Sequence, residues 1–169
     1  MKKSSRSGFT LIELVTVIGV LGVVGVISVS ILTITLRGTK KADLLNYARQ
    51  NGDVALTQMV KNIRYAASLD APATCVPTTS SSSITITSLS DHKQTIYSCA
   101  SNTISSNSAS LIDTNSLQAT SCTFTCAQSS TIVPPIITIQ FTLSPKTAGS
   151  LAETTFSLPF QSSVTLRNY

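Results

Sequence analysis

A long apolar run near the N-terminus constrains this chain more than any other feature. It follows a polar leader that carries Lys2, Lys3 and Arg6, it extends from Phe9 to Leu36, and its one charged residue is Glu13. A helix rises ~1.5 Å per residue and needs about 20 apolar residues to cross the ~30 Å hydrocarbon layer of a bilayer. The run therefore predicts a single-pass membrane protein.

A signal peptide, a buried helix and an ordinary anchor each fit this run less well. A secretory signal peptide has an apolar core of ~7 to 15 residues and a small-residue cleavage site, whereas this run is longer and no Ala-x-Ala-like site follows it. A buried core helix needs a second layer, which so small a chain does not offer. An ordinary anchor fits the length but gives no reason for Glu13. A charge at the centre of a membrane helix costs roughly 2.5 to 3.5 kcal/mol, and although Glu13 is near enough to the end of the run to be tolerated, tolerance does not explain its presence.

The residues around Glu13 carry a family resemblance. Gly8-Phe-Thr-Leu-Ile-Glu13, behind a basic leader and opening a long apolar helix, resembles the N-terminus of type IV prepilins and type II secretion pseudopilins. In that family a membrane prepilin peptidase cuts after the glycine and methylates the new N-terminal amine. The resemblance implies cleavage between Gly8 and Phe9, N-methylation of Phe9 and an assembly role for Glu13. It also implies other pilin or pseudopilin subunits, the peptidase and a membrane assembly platform as partners.

Physical chemistry supplies a reason for the glutamate in such a filament. Apolar helices of many subunits would pack into a core without water, where an unpaired carboxylate is strongly penalised. The N-terminal amine of a neighbouring subunit is a suitable partner for Glu13. Pairing would then set the axial register between subunits, as one buried polar group does in a coiled coil.

Charge does not decide the orientation of the chain. Arg37, Lys40 and Lys41 follow the apolar run and balance the three leader cations, so the positive-inside rule is close to a tie. The resemblance implies a cytoplasmic leader, a head outside the inner membrane, and later an extracytoplasmic filament. Loss of the leader reduces the net charge from +5 to +2, and nucleic-acid binding is not indicated.

Composition divides the chain into four segments. Residues 1–8 form the leader, 9–36 the transmembrane and assembly helix, 37–70 an amphipathic continuation of that helix, and 71–169 a β-rich head. Gly38 and Asn51-Gly52 are predicted bends, and Pro72 is expected to end the helical element. The predicted fold is α+β, with a long N-terminal helix packed against a C-terminal antiparallel sheet. The apolar positions of the continuation, three and four residues apart, are Leu44, Ala48, Ala55, Leu56, Met59, Ile63 and Ala66.

Alternation of apolar and polar residues predicts the strands of the head. Segments 84–89 and 94–99 flank Ser90-Asp-His-Lys93 and predict a hairpin. Further strands are expected at 120–127, 136–143, 154–158 and 163–167. The pattern indicates a sheet with one face on the helix and a hydroxyl-rich face in water.

Four cysteines, all beyond the membrane segment, predict two disulfides with three possible connectivities. If Cys122 to Cys126 is one continuous strand, their Cα atoms lie ~13 Å apart and cannot be bridged, because a disulfide needs less than ~7 Å. The two would then pair separately with Cys75 and Cys99, whereas a bend would reverse that conclusion. Zinc fits poorly, since two short Cys-x-x-Cys-type pairs are lacking.

Catalysis has little support in the sequence. The single histidine, His92, falls in the predicted hairpin turn, the acids are dispersed, and no glycine-rich phosphate loop is present. Serines are not nucleophiles without an activating base. We therefore expect no enzyme, cofactor or metal.

The prediction is a minor pilin or pseudopilin, and the alternative is an unprocessed, membrane-anchored β-rich binding module. Type IV pilus, secretion pseudopilus and DNA-uptake pilus all fit.

Overall fold

The computed structural model describes residues 8, 10–76, 78–130, 132–146 and 155–167. Its helix, α1, runs from Leu11 to Arg64. The chain forms two compact units, residues 1–41 and 42–169. In chain order the strands are β1 (Ala66–Ala71), β2 (Thr79–Ser81), β3 (Ser83–Ser88), β4 (Gln94–Ala100), β5 (Thr103–Ser106), β6 (Ala109–Ser110), β7 (Leu117–Ala127), β8 (Ile136–Pro145) and β9 (Leu158–Thr165). The predicted α+β class, a long N-terminal helix with antiparallel β-structure packed on it, is confirmed.

The strands form two antiparallel sheets where one was predicted. A five-stranded sheet has the order β1-β3-β4-β5-β6, and a four-stranded sheet has the order β2-β7-β8-β9. The chain changes sheet at Ser82, which separates β2 from β3 and whose carbonyl accepts the Cys99 N–H at 2.8 Å. The Ala119 N–H donates across the sheets to the Asn102 carbonyl at 2.7 Å.

The core of the second unit lies between α1 and the sheets. Ala48, Ala55, Met59 and Ile63 of the predicted apolar stripe are fully buried, and Gly52 completes this face. Their spacing of three and four residues places them on one side of the helix. The inward side chains of β3, β7, β8 and β9 alternate with outward polar ones, as expected for sheets with one buried face.

The predicted continuation of the helix to residue 70 is wrong. α1 ends at Arg64, and β1 begins two residues later and pairs with β3. The Arg64 carbonyl, left without a helical partner, accepts the Arg167 N–H at 2.9 Å. Pairing with a strand that lies some twenty residues downstream thus overrides the helical pattern of the sequence.

α1 continues through Gly38 and Asn51-Gly52, so neither predicted bend interrupts the helix. Gly52 instead permits close packing, since a Cβ at this position would overlap the Phe160 ring. That ring stacks on Phe141 with its centroid 5.0 Å away. Glycine is needed here because it lets the Phe160 ring approach the helix backbone closely.

The strand predictions are confirmed in the middle of the head and fail at its end. The hairpin of β3 and β4 forms with Ile84 opposite Tyr97, and β7 and β8 contain the strands expected at 120–127 and 136–143. The strands expected at 154–158 and 163–167 are replaced by β9 alone, although residue 154 lies outside the described residues. The stretch Gln161-Ser-Ser163, where the second of these strands was expected to begin, lies in the middle of β9. The serine-rich strands β2, β5 and β6 were not predicted.

Two disulfides form, as expected. β7 is continuous from Cys122 to Cys126, and these cysteines pair separately. Cys75 joins Cys126 with a Cα–Cα distance of 5.2 Å. Cys99 joins Cys122 at 5.6 Å and thereby links β4 of one sheet to β7 of the other. Sheets that share few hydrogen bonds are thus held together covalently.

We predict that Gly52→Ala destabilises the head by about 1 to 3 kcal/mol, the usual cost of overpacking a filled core. Guanidinium unfolding of the full chain in detergent, followed by near-ultraviolet circular dichroism, measures the loss. Gly38→Ala in the same helix is the matched control, because a Cβ there meets no atom within 4 Å. Equal stability of the two variants would contradict the packing role of Gly52.

We predict that alkylation of the unreduced protein modifies no cysteine and that reduction exposes four thiols. Peptide mapping should recover Cys75 linked to Cys126 and Cys99 linked to Cys122. Replacing either pair with serine should cost about 2 to 5 kcal/mol, because each bridge restricts the unfolded chain. A linked peptide joining Cys122 to Cys126 would disprove the continuity of β7 in solution.

Candidate functional site

The first turn of α1 has a defined capping geometry. The Thr10 hydroxyl accepts the backbone N–H of Glu13 at 3.3 Å, and the Thr10 carbonyl accepts the N–H of Leu14 at 3.2 Å. Thr10 is therefore the N-cap residue, and Glu13 stands at the third helical position. Thr-x-x-Glu is the capping-box pattern, and a carboxylate here also interacts favourably with the helix dipole. This capping signal is present in the sequence but was not among the predictions.

The carboxylate of Glu13 is exposed at this end of the helix. Within the described part of the chain, Glu13 takes part in hydrogen bonds through its backbone alone: its N–H meets Thr10, and its carbonyl accepts the Thr16 hydroxyl at 2.9 Å. Gly8 is also exposed. Phe9, the predicted methylation site, lies outside the described residues, so the Gly8–Phe9 cleavage site has no described geometry.

The surface that follows Glu13 is apolar on all sides. Every large hydrophobic side chain from Leu11 to Leu36 is 49 to 81% exposed. α1 is long and apolar enough to cross a membrane, by length and composition. An exposed apolar surface of this extent marks contact with lipid or with other proteins.

The hydroxyls of this segment are satisfied within the helix. Ser28, Ser30, Thr33 and Thr35 each donate to the carbonyl four residues earlier, at 2.8 to 2.9 Å. A polar group in hydrocarbon costs several kcal/mol unless it is hydrogen-bonded. The segment can therefore enter lipid without exposing an unsatisfied hydroxyl.

The four cysteines lie far along the chain from this segment. Both pairs lie in the second unit, where their bridges connect β4, β7 and the chain between β1 and β2. They stabilise the head. No group of three or more His, Cys, Asp or Glu side chains that could hold a metal ion occurs among the described residues.

An open groove of about 540 Å³ lies between the last turns of α1 and the β3–β4 hairpin. Its charged residues are Lys61 and Asp91, and Tyr65 contributes an aromatic ring. Hydrogen bonds from the Ser88 side chain and the Lys93 backbone hold the pKa of Asp91 below its usual range. His92, in the turn beside the groove, has a left-handed φ of 53°, which histidine tolerates better than bulky residues do.

A polar cluster joins α1 to the chain before β7. The Tyr47 hydroxyl donates to the Asp113 carboxylate at 2.9 Å, and the Asn51 side-chain oxygen accepts the Asp113 N–H at 3.2 Å. The Asn115 N–H is the main cause of the lowered pKa of Asp113. Asn51, predicted as part of a bend, is thus a docking residue of the helix.

A second cluster holds β1 to the hairpin. The Asp70 carboxylate accepts hydrogen bonds from Thr87 at 2.6 Å, Ser68 at 2.8 Å and Gln94 at 3.2 Å. These donors, Thr87 first, lower the pKa of Asp70, because they favour its charged form.

Comparisons with protein-family models, with curated proteins and with solved structures find no match to this chain. The site is therefore interpreted from its own residues.

We predict that the contribution of Asp70 to stability depends on pH. A lowered folded-state pKa stabilises the protein above the unfolded value of about 3.9, and that stability is lost as pH falls through the folded pKa. The melting temperature of the wild type should therefore be higher than that of Asp70→Asn at pH 6. The difference between the two melting temperatures should disappear below pH ~4. Asp53→Asn, which removes an exposed carboxyl from α1, gives the baseline. A difference between wild type and Asp70→Asn that persists at pH 2.5 would contradict this role.

Proposed function

We propose that this chain is a structural subunit of a type IV pilus-like filament, of the minor pilin or pseudopilin kind. Prepilin peptidase would cleave after Gly8 and methylate Phe9. The mature chain would then wait in the inner membrane, with its head outside the cytoplasm, until the assembly platform moves it into a filament. The observation that carries the proposal is Glu13, a carboxylate in the first turn of α1, where the segment from Leu11 to Leu36 is exposed and apolar on all sides.

The apolar surface of α1 supports two successive environments. Lipid covers it before assembly, and neighbouring helices of the same kind cover it in a filament. Both are apolar, so transfer between them changes little in hydrophobic free energy, and packing and polar contacts decide the association. The one charged side chain of the run then becomes the main determinant of register.

Two roles for Glu13 can be separated by chemistry. A capping box accepts glutamine as well as glutamate at the third position. Pairing with the amine of a neighbouring Phe9 requires the negative charge, since a charge-assisted hydrogen bond is roughly twice as strong as a neutral one. Local helix stability and intersubunit pairing therefore respond differently to the same substitution.

We predict that Glu13→Gln is inserted and processed normally but is incorporated into filaments at least tenfold less than wild type. Immunoblotting of sheared filament and membrane fractions measures the partition. Thr10→Ala is the matched control, because it weakens the cap by about 1 kcal/mol and leaves the charge. If Thr10→Ala fails to assemble and Glu13→Gln assembles normally, the cap matters and the register role is wrong.

A single-pass anchored binding module is the second candidate, and the open groove beside Tyr65 favours it. Such a protein needs no processing. Retention of the leader would therefore distinguish it from a pilin-like subunit.

We predict that the chain from cells with active prepilin peptidase starts at N-methylated Phe9. Intact-mass measurement and N-terminal sequencing, with and without the peptidase, check this. Gly8→Ala should block cleavage and leave residues 1–8 attached. A chain that keeps its leader in cells with the peptidase would favour the anchored module.

A further inference from the structure

A cluster of cations follows the apolar surface directly. Arg37, Lys40 and Lys41 come at positions i, i+3 and i+4 of α1, so at about 100° per residue they occupy one face of the helix. Arg37 and Lys40 are exposed and Lys41 is half-buried. We call these three residues the cationic collar. The nearest acid, Asp43, follows them in sequence.

The collar lies at a definite depth if α1 spans a bilayer. Glu13 and Arg37 are 24 positions apart, which is about 36 Å at helical rise. That length exceeds the ~30 Å hydrocarbon layer and falls short of the ~40 to 45 Å that includes the headgroups. A helix near the membrane normal therefore places Glu13 in one headgroup layer and the collar in the other.

We propose that the cationic collar binds the headgroups of anionic phospholipids in the leaflet at the Leu36 end of the span. Arginine binds phosphate oxygens through two parallel N–H donors, and the lysines add point charges within a Debye length of the surface. The collar continues the lipid-facing surface without a break, and its charge is complementary to that of the headgroups.

Cations that alternate with acids along a helix are typical of an ordinary solvated face, but the cations of the collar do not alternate with acids. No acid occurs between Arg37 and Lys41 or in the 23 residues before Arg37. Six acids and six cations balance over residues 42–169. The positive charge of the mature chain is thus concentrated where the span ends.

The test uses the full chain, purified in detergent with equal amounts of phosphatidylglycerol and phosphatidylcholine. Mass spectrometry measures the ratio of the two lipids that stay bound. Each cation near a charged surface contributes about a fivefold preference, so wild type should retain phosphatidylglycerol at least fivefold over phosphatidylcholine in 50 mM salt. The preference should fall sharply in 500 mM salt.

Matched variants distinguish the effect of the cationic collar on lipid preference from the effect of the total charge of the protein. Arg37→Gln/Lys40→Gln/Lys41→Gln should lose the preference. Arg49→Gln/Lys61→Gln/Lys93→Gln, with the same change of charge in the second unit, should keep it. Arg37→Lys/Lys40→Arg/Lys41→Arg should also keep it, because the charge at all three positions is retained. Equal preference in the two glutamine variants, or none in wild type, would overturn the proposal.

This inference rests on the membrane insertion proposed above and not on filament assembly. A protein absent from the membrane fraction would refute the proposed function itself. A protein that inserts but shows no lipid preference would refute the collar alone.

Discussion

The apolar surface from Leu11 to Leu36 is the constraint on which the rest of this protein depends. The described chain offers it no cover, for every residue of this stretch is exposed. Such a surface is stable only in lipid or against other apolar helices. The hydroxyls of the segment donate to the backbone of the same helix, so both environments are open to it. The proposed subunit, which would pass from membrane to filament, needs this property.

The second unit differs from the apolar segment, because one face of its part of α1 is buried against the sheets and packs closely there. Small residues on this face of α1 allow close approach, and the Phe160 ring fills the space above Gly52. Two sheets meet with few hydrogen bonds between them, and the Cys99–Cys122 bridge joins them. The head therefore owes its stability to packing and covalent links, which suits a domain that functions outside the reducing cytoplasm.

Features with a local cause were predictable from the sequence. The apolar run, the β3–β4 hairpin and the separate pairing of Cys122 and Cys126 follow from length, alternation and strand geometry. The Thr10–Glu13 cap is equally local and could have been predicted. The end of α1 could not, because strand pairing with β3 decides it. Nor could the role of Gly52, which depends on a phenylalanine more than one hundred residues away.

Glu13 has a local role in capping α1 and a proposed intermolecular role in pairing with a neighbouring subunit. Its place in the first turn explains why a carboxylate is tolerated in the membrane-inserted chain, where the helix dipole and the headgroup layer both favour it. That explanation holds for any helix with this cap and does not need a filament. In the core of the proposed filament the headgroup layer would be gone, so the same carboxylate would lose its solvation and would require a cation as partner. In the proposed function the energetic demand would thus arise on assembly. The amine of a neighbouring Phe9 would exist only after removal of the leader, so assembly would be conditional on processing.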